Sequence, residues 1–147
     1  GATNVIPEFA RAAGTLRTMD EQWRTIIHKN LKVFVAEFLT SNNAEGQLEI
    51  IKGYPFLKND EILTENCIQS AKEYLGSENV ELLDVRMTAE DFSFFSQKIP
   101  ACFFRLGVRN EDLGIVYGVH HPKFDIDKNA IKFGAGLMVY IALNSFD

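Results

Sequence analysis

Two stretches in the second half of the chain constrain the fold most. "ACFFRLGV" (Ala101–Val108) is apolar almost without interruption, and the segment from Asp127 to about Leu143 carries apolar residues on most sides of a helix. A strand apolar at consecutive positions is one covered on both faces. A helix apolar nearly all round is buried. Together they ask for a sheet with helices packed on its faces, an α/β arrangement. Gly134 and Gly136 stand inside the last helix, where each costs roughly 1 kcal/mol relative to Ala. Close packing of the helix backbone against a sheet would explain why they are tolerated.

The rest of the chain fills in around this pair. Residues 10–18 read as a strand. Asp20 can then cap a helix to about Leu39, with Trp23, Ile27, Leu31, Phe34 and Phe38 recurring at three- or four-residue steps as one apolar face. Arg24, His28 and Lys32 share another face, so His28 reads as a solvated helix histidine. "SNNAEG" is a turn-rich loop, and "QLEIIKGYP" begins as a strand over residues 47–51 that Gly53 and Pro55 break. The pattern changes there, which makes it the candidate domain boundary. Asn59 or Asp60 opens a second helix ending at Leu75 before Gly76, with Ile62, Leu63, Cys67, Ala71 and Leu75 as its buried stripe. A strand over 80–87, a short helix in "TAEDFSFF", the strand 101–108, a long irregular loop and the last helix complete the order. The second half suggests an α/β sheet. The first half suggests part of a smaller α+β unit.

Composition matters for what it excludes. The chain of 147 residues holds 46% apolar residues, twelve of them phenylalanine, so a real core is expected. A net charge of −5, with no basic stripe interleaved with aromatics, argues against nucleic acid. No apolar run approaches the roughly 18 residues of a membrane span, and no membrane partner is expected. Cys67 and Cys102 make neither a disulfide framework nor a metal-spaced cluster. They read as reduced core residues of a cytoplasmic protein. The chain lacks a starting Met and begins abruptly, like a piece cut from a longer one.

Three places could carry chemistry. "YGVHHPKFDID" holds two of the three histidines. A neutral imidazole is a common metal ligand, and Pro122 would stiffen the backbone around it. Yet adjacent residues of a strand-like loop point to opposite sides, so His120 and His121 would rarely share one ion, and on the residues alone a solvated loop leads. In "TAEDF", Thr88 followed three residues later by Asp91 fits a capping box. The sharper alternative is that Glu90 or Asp91 faces a ligand. In "NVIPEFARAAGTLRT", Arg17 is either a strand-end surface charge or a bidentate clamp for a carboxylate.

"NVIPEFARAAGTLRT", "GYPFLKND", "MTAEDFSFF", "IPACFFRLG" and "HHPKFDID" follow one another in an order and spacing that resembles the metal-dependent amidohydrolases. That family includes hippurate hydrolase, N-acyl-amino-acid amidohydrolases, auxin-conjugate hydrolases and aminoacylase/carboxypeptidase enzymes. The resemblance covers essentially the whole chain and matches the C-terminal part of the family's pattern. It implies a zinc-exopeptidase-like catalytic domain over residues 53–147. Residues 1–52 would be the later half of a ferredoxin-like lid, through which the chain would form a homo-oligomer.

The same resemblance implies residue roles. His120 begins the family's His-x-Pro-x-Phe stretch and matches its last metal ligand, while His121 falls where Ser or Thr is common and is not expected to bind metal. Asn4 and Arg17 match lid positions that bind substrate, Arg17 through the substrate's carboxylate. Glu90 and Asp91 match a motif beside the active site. The family's other ligands, its catalytic glutamate and a lid histidine have no counterpart here, so no catalytic residue is assigned in this chain. The implied cofactor is a pair of divalent cations, zinc in most members, with Mn2+, Co2+ or Ni2+ as substitutes. This chain alone is expected neither to hold them stably nor to be active. The implied reaction is hydrolysis of the amide bond of N-acyl amino acids or small peptides by a metal-activated water. The competing reading is a non-catalytic binding or assembly domain of the same fold. Unpaired strand edges at 10–18 or 47–51 would favour self-association in either case.

Overall fold

The computed structural model describes residues 4–145. Its regular elements are helices: α1 (Glu21–Ser41), α2 (Glu61–Leu75), the single turn α3 (Ser93–Ser96) and α4 (Asn129–Asn144), with a 3-10 turn at Ser77–Asn79. The caps sit where local chemistry puts them. Asp20 Oδ1 accepts from the Trp23 amide at 2.7 Å, and Asp60 Oδ1 from the Leu63 amide at 2.9 Å. Each satisfies a helix-start donor that has no partner within the helix. Gly76 ends α2 with φ of +90°, a conformation that a β-carbon disfavours.

The packed centre is small and lies between α2, α4 and residues 101–106. Cys67, Ala101, Ala130 and Leu137 are buried, and Ser93 is fully enclosed. Tyr74 of α2 and Tyr140 of α4 lie 5.4 Å apart, and the Tyr140 hydroxyl donates to Glu73 Oε2 at 3.0 Å. The two glycines of α4 do mark a close approach, but to side chains rather than to a sheet. A β-carbon on Gly134 would stand 2.7 Å from Leu106 Cδ2, and one on Gly136 2.7 Å from Tyr74 Cζ. Both cysteines are free. Burial, with Cys102 beside it, pushes the Cys67 thiol up to about 11, which keeps it protonated.

Asn59 ties residues 101–103 to the start of α2. Its Nδ2 donates to Phe103 O at 2.9 Å, and its Oδ1 accepts from Phe103 N at 2.8 Å. The Asp60 amide adds a bond to Ala101 O at 2.9 Å. One side chain thus gives Phe103 both of the bonds that a neighbouring strand would give.

The expected sheet is not there among the described residues. Segments 10–18, 47–51, 80–87 and 101–108 form no strand, and the β-pairing is one isolated antiparallel bridge, Asn110 with Ile115. The physical reason is that apolar patterning reports which side chains need cover. A ladder also needs a second backbone about 4.8 Å away, and these four segments do not supply one another with it. The helix faces show the same shortfall. Trp23, Phe34 and Phe38 of α1 are more than half exposed, as are Ile131, Met138 and Val139 of α4. The accessible surface is 12717 Å², against about 7,600 Å² expected for a folded chain of this mass. The large core expected from the phenylalanines is therefore not closed by the described residues.

The last helix starts at Asn129, two residues later than expected, with Lys128 at its N-cap position, and Asp127 instead closes the turn that leads into it. Asp127 Oδ1 accepts from the Asn129 amide at 2.9 Å, and Oδ2 from Asn110 Nδ2 at 2.7 Å. The Asn110 bond first, and then the Asn129 amide, hold this carboxyl below the usual carboxylate range. A carboxyl whose pKa is lower folded than unfolded contributes stability that is fully present above about pH 4. That contribution is lost as pH falls through the folded value. Thermal unfolding from pH 6 down to pH 2 is expected to lose this acid-side slope in Asp127→Asn. An identical slope in both proteins would show that the carboxylate is not engaged.

Candidate functional site

Asn110 organises the loop that carries the histidines. Its backbone pairs with Ile115 in both directions, at 2.9 and 2.8 Å, and its Oδ1 accepts from the Leu113 amide at 3.1 Å. With its Nδ2 on Asp127, it joins the base of the loop to the start of α4.

Two successive turns then shape residues 118–124. The His121 amide donates to Gly118 O at 3.2 Å, closing a turn whose third residue, His120, has φ of +71°. That value fits a type II turn, whose third position is normally Gly or Asn. The Phe124 amide donates to His121 O at 2.9 Å and closes a second turn, with Pro122 in its second position. The two histidines are separated by this reversal rather than by strand alternation. His121 is exposed like its neighbour but engaged: its ring stacks on Tyr117 at 4.2 Å and 10°, and its Nδ1 accepts from the Lys123 amide at 3.0 Å. His120 takes part in none of these side-chain contacts, and it is exposed.

A second feature is an open cavity of about 1390 Å³ whose wall includes Arg17, Arg24, His28, Arg86, Glu90 and Arg105. Arg17 is exposed and makes no ion pair among the described residues. Glu90 is half-buried: its Oε1 accepts from the Phe92 amide at 3.3 Å, and its carbonyl accepts from the Ser93 amide at 3.2 Å. Glu90 rather than Thr88 therefore organises the start of α3. The Thr88–Asp91 capping box does not form, because α3 begins at Ser93, too late for Thr88 to reach its free amides. Asn4 and Asp91 are exposed, and neither they nor His120 line the cavity. Arg17 and Glu90 thus both line this open cavity, and the other three do not.

Arg24 was not legible as part of this wall. Its Nη1 donates to Tyr54 O at 2.7 Å and its Nη2 to Glu21, while Glu21 Oε1 accepts from the Phe56 amide at 3.2 Å. The arginine is buried, and its Nε lacks a partner. Its spacing of three from Glu21 was the available signal, but that spacing also describes ordinary surface pairs. His28, one turn on, is half-buried against the cavity rather than solvated, because it follows Arg24 onto the inner face.

Among the described residues, no three His, Cys, Asp or Glu side chains come together as a metal site. His120 fits as a single ligand: it is exposed, and no contact of its loop engages its ring. The described residues do not by themselves make a two-metal centre. No helix among them is long and apolar enough to cross a membrane.

The model of peptidase family M20/M25/M40 matches residues 8–144. The chain belongs to this family. Family M20/M25/M40 relatives include thermostable carboxypeptidase 2 of Saccharolobus solfataricus, 33% identical over 90% of this chain and 33% of the relative. IAA-amino acid hydrolase ILR1-like 6 of Arabidopsis thaliana is 36% identical over 95% of this chain and 31% of its own length. N-acetyldiaminopimelate deacetylase of a Geobacillus species is 30% identical over 92% and 35%. The chain spans about a third of the length of the curated relatives it matches. No solved structure matches it.

Proposed function

We propose that this chain supplies the carboxylate clamp and one metal ligand of a hydrolase that cleaves the amide bond of N-acyl amino acids or small peptides. Membership of the family supports this reading, as do relatives named for carboxypeptidase, amino-acid-conjugate hydrolase and deacetylase activity. Residues 1–52 would be half of a lid. Residues 53–147 would be part of an α/β catalytic domain whose strands find their partners outside the described residues.

The observation that carries the reading is Arg17, a guanidinium without an ion pair among the described residues, on the wall of an open cavity that Glu90 also lines. A guanidinium presents two parallel donors to a carboxylate, and this pairing orients as well as binds. Arg17 would hold the amino-acid end of the substrate and so set where the scissile amide lies. Asn4 would add a polar contact from the lid. Glu90 would shape the cavity floor through its bonds to the α3 turn. His120 would offer its imidazole to one of two divalent cations, whose remaining ligands come from outside the described residues. When bound, two such ions supply an activated water and polarise the carbonyl.

Arg17→Gln in the intact hydrolase is expected to raise KM for an N-acyl amino acid by about 10- to 100-fold, the worth of a hydrogen bond to a charged group. The C-terminal amide of the same substrate should be unaffected. Equal losses on both substrates would refute the clamp.

A second reading, a non-catalytic binding or assembly domain, is favoured by the exposed apolar face of α1. Chelator-sensitive hydrolysis by the intact protein would eliminate it. Under either reading the unpaired segments 10–18 and 47–51 would draw copies together, as in a lid-mediated dimer. Sedimentation of the 147-residue chain at micromolar concentration is expected to show dimers or larger species, and a stable monomer would refute this.

A further inference from the structure

We propose that His121 is a positioning residue that holds His120 in its left-handed turn, an inference that rests on reading His120 as a metal ligand. A φ of +71° is uncommon for a residue with a β-carbon, histidine included. It persists where neighbouring contacts leave the chain no alternative. In this loop those contacts converge on His121. Its amide closes the Gly118 turn that contains His120, and its carbonyl closes the next turn at Phe124. Its ring covers Tyr117, and its Nδ1 takes the Lys123 amide. Tyr117 is itself flanked, with the Lys123 ammonium 5.7 Å from its ring centroid.

The consequence is a division of labour between adjacent imidazoles. The Nδ1 lone pair of His121 is spent on the backbone, so that nitrogen cannot ligate a cation. What it fixes is the direction in which His120 leaves the turn. Second partners of this kind, which orient a ligand without touching the metal, commonly change metal affinity by roughly 10- to 100-fold.

The test uses two preparations. In the 147-residue chain, hydrogen exchange at the residue-121 amide reads the integrity of the Gly118–His121 turn. In the intact hydrolase, calorimetric titration with Zn2+ reads ligand geometry. His121→Ala is expected to speed that exchange and to weaken zinc binding about tenfold, without moving the melting temperature. His121→Asn, which keeps an acceptor for Lys123 N, and His121→Phe, which keeps the face on Tyr117, should each restore part of the affinity. Unchanged affinity in His121→Ala, where His120→Ala abolishes binding of one ion, would overturn the positioning role and leave the ligand reading standing. Unchanged affinity in His120→Ala would overturn both.

Discussion

His120→Gly is expected to make the chain more stable while it abolishes hydrolysis by the intact enzyme. The third position of a type II turn favours glycine, and a β-carbon in the left-handed region costs about 1 kcal/mol. Removing that cost should raise the melting temperature by several degrees, even though the unfolded chain gains some freedom. The same change removes the imidazole of the loop that makes none of its described side-chain contacts. If His120 is a ligand, activity should fall by more than the roughly 10- to 100-fold that losing an outer-shell partner costs, and one equivalent of metal should be lost. Opposite signs for stability and activity are what strain retained for function predicts. A solvated turn residue would give the stability gain alone. Full turnover and full metal content in His120→Gly would end the ligand assignment.

Asn59→Ala is expected to be the most damaging polar substitution outside that loop. It removes both bonds to Phe103 and leaves a part-buried amide and carbonyl unpaired. At about 1–3 kcal/mol for each fully buried unsatisfied group, a total of about 2–3 kcal/mol is reasonable for this half-buried site. Asn59→Asp separates the two bonds. Ionised, it can still accept from Phe103 N but sets a carboxylate against Phe103 O. Protonated, it can donate again. Its destabilisation relative to the parent should therefore shrink as pH falls through the carboxylate range near 4. Chemical denaturation at pH 3.5 and pH 7 measures both. A loss below 0.5 kcal/mol in Asn59→Ala, or a pH-independent loss in Asn59→Asp, would show that the pairing contributes little.

What was legible in the sequence was what is decided within a few residues. Asp20, Asp60 and Gly76 mark helix ends through bonds and torsions that involve only their own turn. The strands were not legible in the same sense, because residues 80–87 or 101–108 can be apolar enough for a sheet and still lack a neighbouring backbone. The last helix was placed two residues early because its apolar pattern does not show the turn that Asp127 closes before it. The partner of Asp127, Asn110, lies seventeen residues away. At the histidines, Pro122 promised a stiffened backbone, but nothing announced His120 at a glycine-favouring position. That position goes with the four contacts of His121, all within four residues of it, whose combined geometry no single local motif announces. Arg24 was lost for a different reason: Tyr54 O reaches it, and the Phe56 amide reaches its partner Glu21, only after the chain has doubled back past Gly53.

The joint at Arg24 has a mechanical side. α1 is 21 residues long, about 31 Å at 1.5 Å per residue. The bonds that anchor it to residues 54–56 all come from its first turn, at Glu21 and Arg24. A rod gripped near one end is a lever. Each 5° of play at the grip would sweep the tip near Ser41 through about 3 Å, by the same rise per residue, so one guanidinium nitrogen and one carboxylate govern how far Phe34 and Phe38 can travel.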